Sequence, residues 1–288
     1  MSSPEPPRPA GPEQDAEWRR QFAAEARSER PDLSRLCLLL GAVADASLTA
    51  EGIDAAQIEL DRLAGEVPYR PGGPEAWARA VGTLLGGRYG FHGTPADYRS
   101  VASSLLHRVL TGRRGLPILL SVVWEEVARR AGAPVFGVAL PGRFLVGFGE
   151  PGEGVFADPF EGGGIVDRDG ARRLVAESTG AEIPLDATAF EPAGPLDVVL
   201  RVLNNIRAWA GARPEHSAVA LWAVELSLLL PSHPAALRQE RGEVLIGRGE
   251  FLTGAAELDA YAELVEVVDE AGAERVRAKA REARAMLN

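Results

Sequence analysis

The sequence predicts an α+β protein: a long helix packed on a small antiparallel sheet, with a helical part before it and a helical part after it. Three observations carry this. Apolar residues recur at helical spacing before residue 110 and again after residue 195. Short β-rich runs occupy 134–140, 143–148 and 155–157, separated by Gly and Pro. An apolar, helix-length segment opened by Pro117 and closed by Gly132 lies immediately before them.

Residues 1–14 are rich in Pro, Glu and Ser and lack large apolar side chains, so a disordered tail is expected. Residues 15–190 are expected as one domain and 191–288 as a helical region. Leu33, Leu36, Cys37, Leu40 and Val43 share a helix face, with Asp32 or Ser34 as its cap. Asp54 is the expected cap of a second helix that turns Ile58, Leu60, Leu63 and Val67 inward. A third starts at Pro74, carries Trp77, Val81, Leu84 and Leu85, and stops at Gly86-Gly87. A fourth runs as one piece from Pro95 to Leu110. The long helix and the meander follow, with breaks at Pro141-Gly142 and at 149–154. A loop at 158–164 then leads to a short helix at 169–178, and Pro184, Pro192, Gly194 and Pro195 mark a boundary. Beyond it, 196–210, 217–230, 235–248 and 251–270 are helix-length. The last two fit the tetratricopeptide pattern, with Gly242 and Gly254 at its small positions and Phe251 at its aromatic one.

Composition excludes several functions. The 288 residues carry 31 Lys+Arg and 41 Asp+Glu, a net charge of −10. That balance argues against nucleic acid, whose affinity rests on basic side chains. The lone cysteine, Cys37, rules out an intramolecular disulfide and a multi-cysteine zinc site. The lone lysine, Lys279, lies far from any phosphate loop and makes Schiff-base chemistry unattractive. No apolar run has the length of a membrane span, so no membrane partner is expected, and the cytoplasm is the expected compartment. No cofactor is expected.

Few residues offer chemistry. Cys37 sits among leucines and is expected in the core. His92, His107, His216 and His233 show no metal-ligand spacing. The last three are expected at the surface or as caps, whereas His92 lies near the β-region. Glu125 and Glu126 point about 100° apart on the long helix. They are expected as solvated charges or partners of Arg129 and Arg130. The run Glu161-Gly162-Gly163-Gly164 is expected as a turn. Arg143 opens one strand and Asp158 ends another, so they make either a polar pocket at the helix–sheet junction or a structural ion pair.

Four stretches carry a resemblance: 113–121 (RRGLPILLS), 126–132 (EVARRAG), 141–146 (PGRFLV) and 158–163 (DPFEGG). In this order and spacing they resemble the bacterial SirB-type proteins of the transglutaminase-like superfamily, which carry a tetratricopeptide-like tail. The resemblance extends upstream through Phe91, Gly93, Tyr98, Ser104, Val109 and Leu110 and covers most of the chain beyond residue 30. It implies a papain-like core, with a nucleophilic Cys at the start of the long helix and His and Asp on adjacent strands. Those three positions fall on Pro117, Arg143 and Asp158. Proline has no nucleophilic side chain, and arginine stays protonated at physiological pH. Two of the three positions are therefore unfit for acyl transfer.

The resemblance thus implies a non-catalytic protein that acts as a protein-interaction or regulatory scaffold, with a protein partner whose identity, like the oligomeric state, the sequence leaves open. Two alternatives stay open. One is a hydrolase with rebuilt chemistry, in which Ser121, Glu125 or His92 converges with Asp158. The other is a carboxylate or peptide binder that uses Arg143.

Overall fold

The computed structural model describes residues 7–68, 72–152 and 154–287. The chain divides into two compact units, 1–18 with 30–202 and 19–29 with 203–288. Helix α1 (Pro12–Ala26) begins inside the stretch expected as a tail, and residues 1–6 of that expectation lie outside the described residues. The division near 202 lies inside helix α8 (Pro195–Gly211), twelve residues beyond the expected boundary at 190. The Pro-rich stretch is packed rather than a linker. Asp186 accepts from the N–H groups of Thr188 and Ala189, and Leu185 and Phe190 are buried in the core of the first unit.

The first unit is organised around α6 (Pro117–Arg130), which begins with proline where no amide donor is needed. One side of α6 meets α2 (Leu33–Ala44), α3 (Ala50–Gly65) and α5 (Leu106–Gly112). Asp32 caps α2 by accepting from the Arg35 N–H at 2.8 Å. Three expectations in this region need correction. Thr49, not Asp54, caps α3, so the helix starts earlier; its buried face carries Ile53, Leu60 and Leu63, and Ile58 is exposed. Helix α4 (Pro74–Gly82) passes into a π-helical turn, Thr83–Arg88, that runs through Gly86-Gly87 instead of stopping there. The segment from Pro95 to Leu110 is not one helix but two 3-10 turns, Pro95–Arg99 and Val101–Ser104, followed by α5. Here Asp97 and Thr94 form a reciprocal cap, and Ser103 O accepts from the Leu116 N–H. These local and tertiary bonds replace helical ones.

The other side of α6 carries the sheet: β1 (Val135–Leu140), β2 (Arg143–Phe148), β3 (Val155–Asp158) and β4 (Gly164–Val166). It is an antiparallel meander in sequence order, with Leu140 opposite Arg143 and Asp158 opposite Gly164. Strand β4 lies in and just after the segment expected as a loop; three residues beginning with Gly give no periodic signal. Every residue of β2 is buried because both faces are covered. On the face away from α6, Phe136, Val138, Leu145 and Phe156 pack with Val175 of α7 (Arg168–Thr179) and with Phe190.

The second unit contains α9 (Ser217–Leu229), α10 (Ala236–Gly247), α11 (Phe251–Val265) and α12 (Glu270–Ala285). The helix expected to reach residue 270 ends at Val265, and α12 follows, capped by Asp269. Helices α10 and α11 cross where two glycines meet. A Cβ on Gly242 would stand 2.9 Å from Gly254 O, and one on Gly254 would stand 2.7 Å from Gly242 O. Ala255, Leu258 and Ala262 then pack against Ala273, Val276 and Ala280 of α12. Arg241 ties the layers together, reaching Glu225 at 3.0 Å and Glu257 at 2.6 Å.

Candidate functional site

The site lies where the start of α6, the first residue of β2 and the end of β3 meet. Asp158 ends β3 and caps the 3-10 turn Pro159–Glu161: its Oδ1 accepts from the Phe160 N–H at 3.0 Å. Its Oδ2 accepts from Arg143 Nε at 3.1 Å and Nη2 at 2.5 Å. Both Arg143 donors therefore converge on one oxygen, not on two. The Arg143 guanidinium lies 4.9 Å from the centre of the Phe160 ring and also reaches Glu161 Oε1 at 3.5 Å. Both partners are buried. Burial pushes the Asp158 carboxyl up, while the Arg143 charge and the Phe160 N–H pull it down.

Glycines hold this loop in place. Gly162 and Gly163 both have positive φ, 77° and 87°, so the turn expectation holds. A Cβ on Gly86 would stand 1.9 Å from Gly162 O, and one on Gly82 would stand 2.9 Å from Gly163 O. A Cβ on Gly93 would stand 2.1 Å from the Phe160 ring and 2.8 Å from Gly115 O. Gly93, whose N–H donates to Phe160 O at 2.9 Å, is therefore hemmed in by both the Phe160 ring and the backbone two residues before Pro117.

Arg143 and Asp158 are thus bonded to each other, and Pro117 begins the helix α6 that packs against β2. His92, Ser121 and Glu125 do not join Asp158. The Ser121 Oγ is buried and donates to Phe144 O at 3.2 Å. His92 is exposed, and its Nδ1 lies 2.8 Å from Gly90 O. Among the described residues no hydrogen bond links Ser121 to a histidine or carboxylate, so the nucleophile–base pair of the rebuilt-hydrolase alternative is not formed.

The two glutamates differ sharply. Glu126 is buried and paired with Arg129 at 2.6 Å and Arg130 at 3.3 Å, as expected of an ion-pair partner. Glu125, expected as a solvated charge or ion-pair partner, is partly buried and makes no ion pair among the described residues. Its Oε2 is sealed without a hydrogen-bond partner, against Gly137 and the Phe144 ring. Burial, and next the Glu126 charge, push its carboxyl up to about 7. The overlooked signal is its spacing: Pro117, Ser121 and Glu125 recur every four residues along one face of α6.

This gives a testable pH dependence. The folded carboxyl binds its proton more tightly than the ordinary 4.5 of the unfolded chain. Below about pH 4.5 both states are protonated and Glu125 contributes nothing. As pH rises through about 7 the unfolded chain alone is first ionised, and stability falls. Glu125→Gln is expected to stabilise the first unit by about 2 kcal/mol at pH 8 and to be near neutral at pH 4.5. Urea unfolding at the two pH values measures the difference. An equal effect at both would refute the assignment.

Cys37 is buried, and burial pushes its thiol up, the opposite of a reactive thiolate. His107 departs from the expected surface or capping role. Its Nε2 lies 2.9 Å from Asp45 Oδ2, and Gly41 leaves room for the ring. Burial raises the Asp45 carboxyl, but hydrogen bonds from His107, Ser47 and Arg108 outweigh it and hold the group at about 2. His216 stacks on Trp209 at 4.7 Å, and His233 Nδ1 lies 2.8 Å from Leu230 O. Among the described residues no group of three or more His, Cys, Asp or Glu is placed to hold a metal ion, and no helix is long and apolar enough to cross a membrane.

Comparison with known proteins agrees with this architecture. Residues 206–288 match the tetratricopeptide repeat family. A UPF0162 protein of Xylella fastidiosa (strain 9a5c) is 32% identical over 188 residues, covering 64% of this chain and 66% of the relative. A UPF0162 protein of Pseudomonas aeruginosa is 34% identical over 113 residues, 39% of this chain and 41% of the relative. F-box only protein 21 of Mus musculus is 34% identical over 82 residues, 28% of this chain and 13% of the relative. The chain thus spans less than two thirds of the length of these curated relatives. Residues 54–204, more than half of the chain, match the transglutaminase-like superfamily, and the chain belongs to it.

Proposed function

We propose that the chain is a non-catalytic, SirB-type member of this superfamily that acts as a protein-interaction or regulatory scaffold in the bacterial cytoplasm. The observation that carries this reading is the Arg143–Asp158 pair. On a papain-like reading of the core, Pro117 stands at the nucleophile position and Arg143 at the base position. A guanidinium offers no lone pair to receive a proton at physiological pH, and that of Arg143 is already bonded to Asp158. Pro117 supplies no thiol, and the one thiol in the chain is buried in α2. What remains is an intact scaffold with a salt bridge where acyl transfer would need a base. The tetratricopeptide-like region supports the interaction role, since helical repeats of this kind present extended surfaces to partners.

The test is turnover. Purified full-length protein is incubated with a glutamine peptide and a fluorescent primary amine, and separately with a peptidase substrate pool. No product above the protein-free blank is expected. Product formation that disappears in Asp158→Ala would overturn the reading.

The alternative of a carboxylate binder through Arg143 is weaker. That guanidinium already serves Asp158 and Glu161.

A further inference from the structure

A second arginine lies beside the first and is not spent in this way. Arg201, in the first turns of α8, belongs to the first unit. Its Nη2 donates to Arg143 O at 2.9 Å and to Leu140 O, the two carbonyls of the β1–β2 turn. Its guanidinium lies 5.6 Å from the centre of the Phe144 ring. A guanidinium carries five N–H donors. Those on Nε and Nη1 have no acceptor among the described residues, and neither nitrogen is among the sealed, unpartnered atoms, so both reach solvent.

The lack of a counter-charge is the informative feature. In the same unit the partly buried Arg114 holds Asp97, Arg130 holds Glu126 and Asp61, and Arg143 holds Asp158. No carboxylate among the described residues pairs with Arg201. Burial pulls its guanidinium down, and Tyr98 is what acts against it. A half-buried cation without an anion is costly, and a ligand that supplies the anion recovers that cost.

Tyr98 completes the surroundings. Its side chain is half exposed, and its ring packs 6.1 Å from the Phe160 ring under Arg143. Because the Arg143 guanidinium covers that same Phe160 ring, this contact sets Tyr98 beside the Arg143–Asp158 pair, and the charges of Arg143, Asp158 and Arg201 all act on its hydroxyl. Burial keeps that hydroxyl un-ionised, so it is a donor.

We propose that Arg201 and Tyr98 form a carboxylate-binding site beside the Arg143–Asp158 pair. This rests on reading the region as a binding cleft rather than a catalytic one. The Arg143–Asp158 pair then serves as a rigid wall, and Arg201 supplies the unspent charge. The ligand is a carboxylate, from an acidic peptide segment or from a free small acid.

Calorimetric titration of the full-length protein tests this with three probes: acetyl-Glu-Glu-Glu amide, glutarate and acetyl-Gln-Gln-Gln amide. The wild type is expected to bind at least one of the acids and not the glutamine peptide. Arg201→Gln should weaken that binding about tenfold or more, the loss expected when a charge-assisted hydrogen bond is removed. Tyr98→Phe should weaken it about fivefold. This half-exposed position keeps its ring contact and decides the matter if Arg201→Gln fails to fold. Tighter binding of the glutamate peptide assigns the site to a protein partner, and tighter or equal binding of glutarate assigns it to a free acid; either supports the site. No acid binding by the wild type, equal binding of the glutamine peptide, or unchanged affinity in Tyr98→Phe would overturn it, as would unchanged affinity in a folded Arg201→Gln. Absence of binding without turnover removes this site and leaves the scaffold reading. Turnover removes the scaffold reading, whatever the titration gives.

Discussion

Gly86→Ala is expected to destabilise the first unit by about 3 kcal/mol or more. Gly86 has helical backbone angles, so the added methyl group brings no φ strain and even a gain of about 1 kcal/mol in helix propensity. Space decides the sign. The new Cβ would lie 1.9 Å from Gly162 O, 2.6 Å from Gly162 C and 2.9 Å from Gly162 Cα. All three are backbone atoms, and they cannot swing away as a side-chain tip would. Gly162 is fixed by its left-handed conformation and by its N–H to Pro159 O. Its neighbour Gly163 donates to Asp158 O at 2.7 Å and abuts Gly82. Relief at Gly86 therefore moves the loop that caps and positions Asp158. A fall in melting midpoint of roughly 6–12 °C is expected for a unit of this size. Gly87→Ala is the internal control. A Cβ there would meet nothing within 4 Å, so this variant should be neutral or slightly stabilising. Equal behaviour of the two variants would show that the close approach is not what Gly86 provides.

Arg143→Met is expected to cost about 3–5 kcal/mol, because it strands a buried carboxylate. Asp158 would keep one donor, the Phe160 N–H, and lose the guanidinium that offsets its burial. Its folded-state affinity for a proton then rises further above that of the unfolded chain. The sign follows: the deficit is absent where both states are protonated, below about pH 4, and grows as pH rises. Wild type and variant compared by urea unfolding at pH 4.5 and pH 8 should differ more at the higher pH. Adding Asp158→Leu should restore much of the loss, since an apolar pair of similar volume is often tolerated where an unpaired charge is not. A double variant as unstable as Arg143→Met alone would mean that packing of the Arg143 stem on Phe160, not charge, dominates.

Local structure is legible in the sequence where one residue type settles the geometry. Pro117 starts α6 and Gly132, at φ 89°, follows its end. The hairpin turn lies at Pro141-Gly142, where Gly142 has φ 67°. Arg143 and Asp158 are legible as a pair because they begin and end neighbouring stretches of the meander. The failures share a physical cause: the deciding contact comes from a distant part of the chain. Gly86-Gly87 reads as a stop signal, yet the π-helical turn continues because Gly162 packs against it. The 95–110 segment has helical apolar spacing, yet Ser103 O is taken by the Leu116 N–H. Arg201 and Glu125 look like ordinary helix charges. Their unusual surroundings come from the β1–β2 turn and from the sheet face over α6, and no local pattern records either.

The single buried thiol gives the chain a built-in clock. Cys37 is sealed in α2, and burial holds it as the unreactive thiol. A labelling reagent therefore reaches it only during openings of the structure around that helix. When reclosing outpaces labelling, the observed rate divided by that of an unfolded peptide gives the equilibrium constant for opening. Because no second cysteine competes, each modification event reports one known place. The same sealed residue thus lets the conformational free energy around α2 be followed without denaturant or engineered label.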